Sequence, residues 1–389
     1  MRPYRCTLVL LLTVACGETF SSGGASTVTA GTVGGPAGPG GAGGSVTSSG
    51  GAGGSVASSG GAGMGGAAVG GAPTGGTGAG AGGAGGTNDC PEGPPSPEAI
   101  AANQGVELES GIAVDGTHVY WAATSQSSIR RASKSAPAPQ VVATPAQPRG
   151  IALDETYLYW AGGAGAIGRV PKAGGAFEIV AMGQTQAQAI AVDGTHVYWS
   201  RRDTPTVGSG GIYRALKAPN ATAEIVYVVP FGEDHSIALD ATHVYWVNAA
   251  NLTVGRKEKT GTMAGLLAQG TEVQEGWDVA VDTTTVYFTE HRPAGRLRQV
   301  VLATLGVGNV GTVTSYHHGI ALDADSLYFS RSLNATTYSV VRRSKAGTDE
   351  EALTGTLAGH PGRITVDCST AYWIDAGGAG SVWRAAISP

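Results

Sequence analysis

The sequence predicts an all-β fold, a seven-bladed β-propeller of four-stranded blades spanning residues 97 to 389. Three observations carry this. One phrase recurs seven times, as Ile112-Ala-Val-Asp115, Ile151-Ala-Leu-Asp154, Ile190-Ala-Val-Asp193, Ile237-Ala-Leu-Asp240, Val279-Ala-Val-Asp282, Ile320-Ala-Leu-Asp323 and Ile364-Thr-Val-Asp367. Its aspartates stand 39, 39, 47, 42, 41 and 44 residues apart, the period of a four-stranded blade. After a few turn residues each copy continues into an aromatic strand, for example Val119-Tyr120-Trp121 or Ala371-Tyr372-Trp373.

The chain opens with a basic start (Arg2, Arg5), an apolar run from Thr7 to Ala15 and a small-residue junction at Ala15-Cys16-Gly17. That is the pattern of a secretory leader over residues 1–15, too short to span a bilayer. Leu12-Thr13-Val14-Ala15-Cys16 resembles a bacterial lipobox, with Thr13 where lipoproteins usually carry Leu. The resemblance implies a lipid on Cys16, and the lack of Asp after it implies the outer membrane. Residues 16–89 then hold most of the 64 glycines with almost no charge or aromatic residue, as in Gly78 to Gly86. Such a segment buries too little apolar surface to offset its ordering entropy and reads as a disordered tether reaching about 45–50 Å. Strict Gly-X-Y and a strand-loop-helix phosphate site are both absent from it. The net charge of −5 gives no footprint for nucleic acid.

Within each repeat the phrase is strand one and the aromatic run strand two. Strand three reads Ile-x-Arg or close to it, from Ile129 to Arg131 through Val382 to Arg384, with Gln299 replacing Arg in the fifth copy. Strand four follows a turn, as Phe177-Glu-Ile-Val180 does after Ala173-Gly174-Gly175. The seventh copy ends just after its third strand. Its missing partner is expected at the front, because Glu98 to Gln104 matches the fourth-strand segment Glu178 to Gln184. Cys90 precedes that strand, and Cys368 lies in the strand-one to strand-two turn on the same face. The pair is expected to form a disulfide, worth about 4–5 kcal/mol at most in the chain-entropy model.

The Ile-Ala-Val-Asp, Tyr-Trp and Ile-Tyr-Arg pattern resembles the YWTD β-propellers of lipoprotein receptors and their bacterial, TolB-like relatives. The likeness covers nearly all of residues 97–389. It departs in blade number, since YWTD rings usually have six, and in the signature, whose nearest copies are Tyr287-Phe-Thr-Glu290 and Tyr372-Trp-Ile-Asp375. It implies a scaffold, which binders and enzymes share.

The seven aspartates read as turn caps rather than metal ligands, the Tyr-Trp pairs as packing between blades, and the strand-three arginines as satisfied structural partners. Function is expected where the repeats disagree, on loops at one face of the ring. The ligand-binding candidates are Arg149, His235, Trp277, Glu290, His291, His318 and Arg363. Arg201, Arg202, Asp203, Asn248, Arg292, Arg331 and Asp375 come from the neighbouring loops, and together they suggest a mouth for an anionic or sugar-like ligand. The expected function is that of a non-catalytic envelope lipoprotein, a monomer without cofactor, holding an envelope protein or glycan. It would meet the membrane through its lipid alone and face the periplasm or the cell surface. The alternative is a metal-dependent lyase or lactonase. It would hold one divalent metal at Glu290, His291 and His318, near Glu233, Asp234, His235 and His317, since Glu with His can ligate metal or move protons. No Gly-x-Ser-x-Gly elbow on a strand-to-helix turn is present. Asn-x-Thr at Asn220, Asn251 and Asn334 carries little weight in a bacterial lipoprotein.

Overall fold

A computed structural model describes residues 97–202, 210–228, 235–292, 295–311, 315, 317–334 and 336–387, with His235 described in its backbone only. The leader, Cys16, the tether, Cys90, Asp203, Glu233 and Asp234 lie outside the described residues.

Twenty-eight strands form seven four-stranded antiparallel sheets. Blades 1 to 6 take β2 to β25 in order, four consecutive strands each, from β2 (Ile112–Val114) to β25 (Glu350–Ala352). Blade 7 joins the two ends of the ring. Its inner strands β26 (Pro361–Val366), β27 (Thr370–Asp375) and β28 (Ser381–Ala386) are completed by β1 (Glu98–Ala102). Glu98 stands opposite Arg384 and Ala102 opposite Ser381, the closure the sequence predicts.

Between blades the core is aromatic. Trp121, Trp160, Trp199, Trp246 and Trp373 are fully buried with the tyrosine that precedes each, and Phe288 and Phe329 take the place of Trp in blades 5 and 6. The residue facing Trp from strand three adjusts to it. In blades 2 and 4 it is Gly168 or Gly255, where a Cβ would lie 2.2 and 2.4 Å from the indole. In blades 3 and 7 it is Tyr213 or Trp383, stacked on the indole at interplanar angles of 13° and 12°.

The aspartates act as turn caps in every blade. One oxygen accepts the N–H groups two and three residues on, as Asp115 does from Thr117 and His118, both at 2.9 Å. The same holds for Asp154, Asp193, Asp240, Asp282, Asp323 and Asp367. In five blades the second oxygen accepts the hydroxyl of the strand-two tyrosine, as Asp154 does from Tyr159 at 2.9 Å. Burial alone would raise the carboxyls of Asp115 and Asp193, but the N–H donors and a lysine overcome it and hold both at about 2.

That lysine belongs to the next blade. Lys172 meets Asp115 at 3.1 Å, and Lys217–Asp154, Lys259–Asp193, Lys345–Asp282 and Lys134–Asp367 repeat the latch. Strand-three arginines Arg131, Arg169, Arg214 and Arg384 donate to the carbonyl of the same lysine, so their role is structural. Two seams differ. Leu302 and Ile387 occupy the lysine position opposite Asp240 and Asp323 and pack into the apolar clusters there.

Candidate functional site

The phrase that builds each inner strand also sets where function can sit. In blades 2, 3, 5, 6 and 7 the pairing of strand one with strand two slips by one residue just before the phrase. Such a bulge turns side chains out of the sheet plane. Its extra N–H is met by a strand-two hydroxyl in three blades: Ala189 donates to Ser200, Asp278 to Thr289 and Gly319 to Ser330, at 3.0 to 3.1 Å. The two bulge residues are the positions where the repeats disagree.

The position directly before the phrase forms the inner layer: Gly111, Gly150, Ala189, Ser236, Asp278, Gly319 and Arg363. Adjacent inner strands approach so closely that a Cβ on Gly111, Gly150 or Gly319 would lie 2.3 to 2.5 Å from backbone atoms of the next blade. The three larger residues bind one another. Asp278, fully buried, accepts from Arg363 Nη1 at 2.9 Å, from the Ser236 hydroxyl, and from the N–H groups of Val279 and Ile320. Arg363 is thereby a staple from blade 7 to blades 4 and 5 and not an open ligand-binding cation.

One residue further out, towards the mouth, stand Ser110, Arg149, Gln188, His235, Trp277, His318 and Gly362. The side of blades 1 to 3 is polar. Arg149 pairs with Glu109 at 2.6 Å and donates to Gln188 Oε1 at 3.3 Å, while Gln188, 7% exposed, leaves its Nε2 without a partner among the described residues. The side of blades 5 to 7 is aromatic. Half-buried Trp277 lies 4.6 Å from the His291 ring, and His291 lies 4.6 Å from His318. His318 in turn is 5.9 Å from His360, whose Nε2 is hydrogen-bonded to the Tyr338 hydroxyl. His318 is 1% exposed, and burial, reinforced by the imidazoles of His291, His360 and His317, pushes its pKa down to about 3. It is uncharged at neutral pH, and its Nδ1 has no hydrogen-bond partner among the described residues.

Of the expected site residues, Trp277, His291 and His318 come together, and Arg149 stands in blade 2, paired with Glu109. Glu290 is directed elsewhere. Its two oxygens accept the N–H groups of Gln274 at 3.0 Å and Arg296 at 3.1 Å, so it braces the loops on either side, and burial raises its pKa. His317 packs on Phe329 at 5.6 Å instead of facing the mouth. Of the six expected mouth arginines, four are paired with carboxylates: besides Arg149 and Arg363, Arg292 pairs with Glu275 and Arg331 with Glu350, while the Arg201 guanidinium lies 5.4 Å from the Tyr213 ring centre. Among the described residues no three His, Cys, Asp or Glu side chains gather as a metal-holding group. Tyr338 and His360 were not among the expected residues, because neither adjoins the repeated phrase.

No protein-family model matches this chain, and no curated protein does. Among solved structures it is similar to a streptogramin B lyase, at 14% identity over 75% of this chain and 97% of that one, with a TM-score of 0.61. It is similar also to an oligogalacturonate lyase solved with manganese, at 9% identity over 74% and 87%, TM-score 0.53. A chain of the nidogen/laminin complex matches at 20% identity over 50% and 74%, TM-score 0.43. At such identities the two lyases share the propeller fold with this chain and nothing finer.

Proposed function

We propose that this chain is a non-catalytic cell-envelope lipoprotein that holds a protein or glycan in the mouth of its propeller. One observation carries the reading: the bulged positions that face the mouth differ from blade to blade, while the turn-capping aspartate recurs in all seven. Rigid strands thus present a non-repeating set of side chains, the arrangement of a recognition surface on a scaffold. A lipid on Cys16, a tether over residues 16–89 and a Cys90–Cys368 bridge complete the proposal, supported by the sequence pattern. Labelling with radioactive palmitate and the shift of a non-reducing gel on reduction test the lipid and the bridge.

The test of function immobilises the full chain, challenges it with envelope proteins and envelope polysaccharides, and identifies what is retained. Retention should fall for Trp277→Ala and for Gln188→Ala. Undiminished retention by both folded variants would refute a mouth site. A second reading, a metal-dependent lyase or lactonase, draws on the three neighbouring imidazoles and on the two lyases among similar propellers. Stoichiometric divalent metal lost on His318→Ala, together with turnover of a cyclic ester, would bring that reading to the front.

A further inference from the structure

The latches that join neighbouring blades are unevenly spread round the ring. At four consecutive seams, blade 7 to 1, 1 to 2, 2 to 3 and 3 to 4, both parts of the latch are present. Lys134, Lys172, Lys217 and Lys259 reach the capping aspartate of the blade before, and Arg384, Arg131, Arg169 and Arg214 donate to the carbonyl of the same lysine. Blades 7, 1, 2, 3 and 4 are thereby one pinned arc. Blades 5 and 6 are joined to each other by three polar links: Lys345 to Asp282 at 2.9 Å, the Thr289 hydroxyl to the His318 carbonyl at 2.6 Å, and the Ile320 N–H to Asp278 at 3.2 Å. On either side of this pair, at the seams from blade 4 to 5 and from 6 to 7, Leu302 and Ile387 stand in the lysine position within apolar clusters. An ion pair backed by a charge-assisted hydrogen bond fixes direction as well as distance. Apolar contact is non-directional and lets packed elements slide by small shears.

We propose that blades 5 and 6 form a two-blade sector that shifts as one body against the arc of the other five. The mouth lies across its boundary. Trp277 and His291 belong to blade 5 and His318 and Tyr338 to blade 6, whereas His360, hydrogen-bonded to Tyr338 and 5.9 Å from His318, directly precedes the first strand of blade 7. Two polar ties from sector to arc lie at this level of the ring. One is the Tyr338–His360 hydrogen bond, and the other is Asp278, which binds Ser236 of blade 4 and Arg363 of blade 7. Asp278 thus holds both ends of the arc at once and is the pivot. A shift of the sector about it moves Trp277, His291 and His318 relative to His360 and so changes the width of the mouth.

Double electron–electron resonance on the full chain tests this. Spin-labelled p-acetylphenylalanine is placed at exposed positions in the turn after the capping aspartate: Thr283 in blade 5, Ala324 in blade 6, Glu155 in blade 2 and Gly194 in blade 3. The distance distribution from Thr283 to Glu155, sector to arc, should be split in two or wider by more than about 2 Å than those from Thr283 to Ala324 and from Glu155 to Gly194. Leu302→Lys with Ile387→Lys, which supplies the missing lysines opposite Asp240 and Asp323, should narrow it to the width of the other two. Tyr338→Phe, which removes one tie and keeps the ring, should widen it. If the lysine variant does not fold, the parent distributions and Tyr338→Phe still decide. Equal widths in the parent overturn the inference, as does a sector-to-arc width that neither folded variant changes. A wide distribution from Thr283 to Ala324 also overturns it, since blades 5 and 6 would then move separately.

Discussion

Replacing Arg363 by Met should destabilise the ring far more than breaking any one latch on its opposite face. Arg363 is bound to a carboxylate with no solvent exposure, and its own side chain is 11% exposed. Removing one partner of a buried pair costs about 3–5 kcal/mol. Here Asp278 keeps three neutral donors, Ser236 and the N–H groups of Val279 and Ile320, so the low end applies, about 3 kcal/mol. With an unfolding entropy of about 2.1 cal/mol/K per residue over roughly 290 residues, that corresponds to a melting temperature lower by about 5 °C. Lys217→Met is the control. Its bridge to Asp154 sits at 15% and 19% side-chain exposure, where a pair is worth at most about 1 kcal/mol, or under about 2 °C. Calorimetric melting of both variants, with Asp278→Asn and the Asp278→Asn/Arg363→Met double variant, closes a cycle. The reasoning fails if Arg363→Met melts within about 2 °C of the parent, or if the cycle shows no coupling.

Acid should unfold the protein in two windows. His318 has a folded pKa of about 3 against an ordinary 6.5, so the stability it contributes is whole above pH 6.5 and is lost as pH falls towards 3, at about 1.4 kcal/mol per pH unit. His318→Phe should flatten the fall in melting temperature between pH 6.5 and 4, and an unchanged slope would place that loss elsewhere. Asp193, at about 2 against 3.8, contributes stability that is present above pH 3.8 and disappears towards pH 2. Asp193→Asn should flatten that lower window alone, read by circular dichroism during acid titration. Gly168→Ala places a Cβ 2.2 Å from the buried Trp160 ring and should cost about 1–3 kcal/mol, whereas Gly194→Ala, with open space around it, should cost well under 1. Equal melting of these two would show that the indole moves aside freely.

The blades were legible because each must solve the same packing problem. A phrase that caps a turn, fills an inter-blade seam and starts an inner strand is constrained at every position, and so it repeats. Asp115 through Asp367 and the Tyr-Trp pairs were read correctly for that reason. The site was legible only in outline. Disagreement between repeats located Trp277, His291 and His318, but sequence alone could not separate residues facing outward from residues that serve each other. Arg363 and Glu290 looked like open charges, and only the three-dimensional arrangement brings Asp278 and Ser236 to the first and two backbone N–H groups to the second. His360 meets His318 and Tyr338 across the boundary between blades 6 and 7, a proximity with no trace in the local pattern.

The shared seventh blade also dictates an order of folding. Blades 1 to 6 are meanders whose pairings close over short stretches of chain, and each buries its aromatic residues against the next blade. The Glu98–Arg384 pairing joins residues 286 apart. Closing so long a loop costs about 3 kcal/mol more than closing a ten-residue hairpin. That cost is met only when a nearly complete arc already holds both ends in reach. Until then the chain is an open horseshoe with β28 lacking its outer neighbour, a bare edge that another chain could pair with. The last event of folding is thus the one that hides this edge, and β1, five residues long, governs how long the molecule remains prone to association.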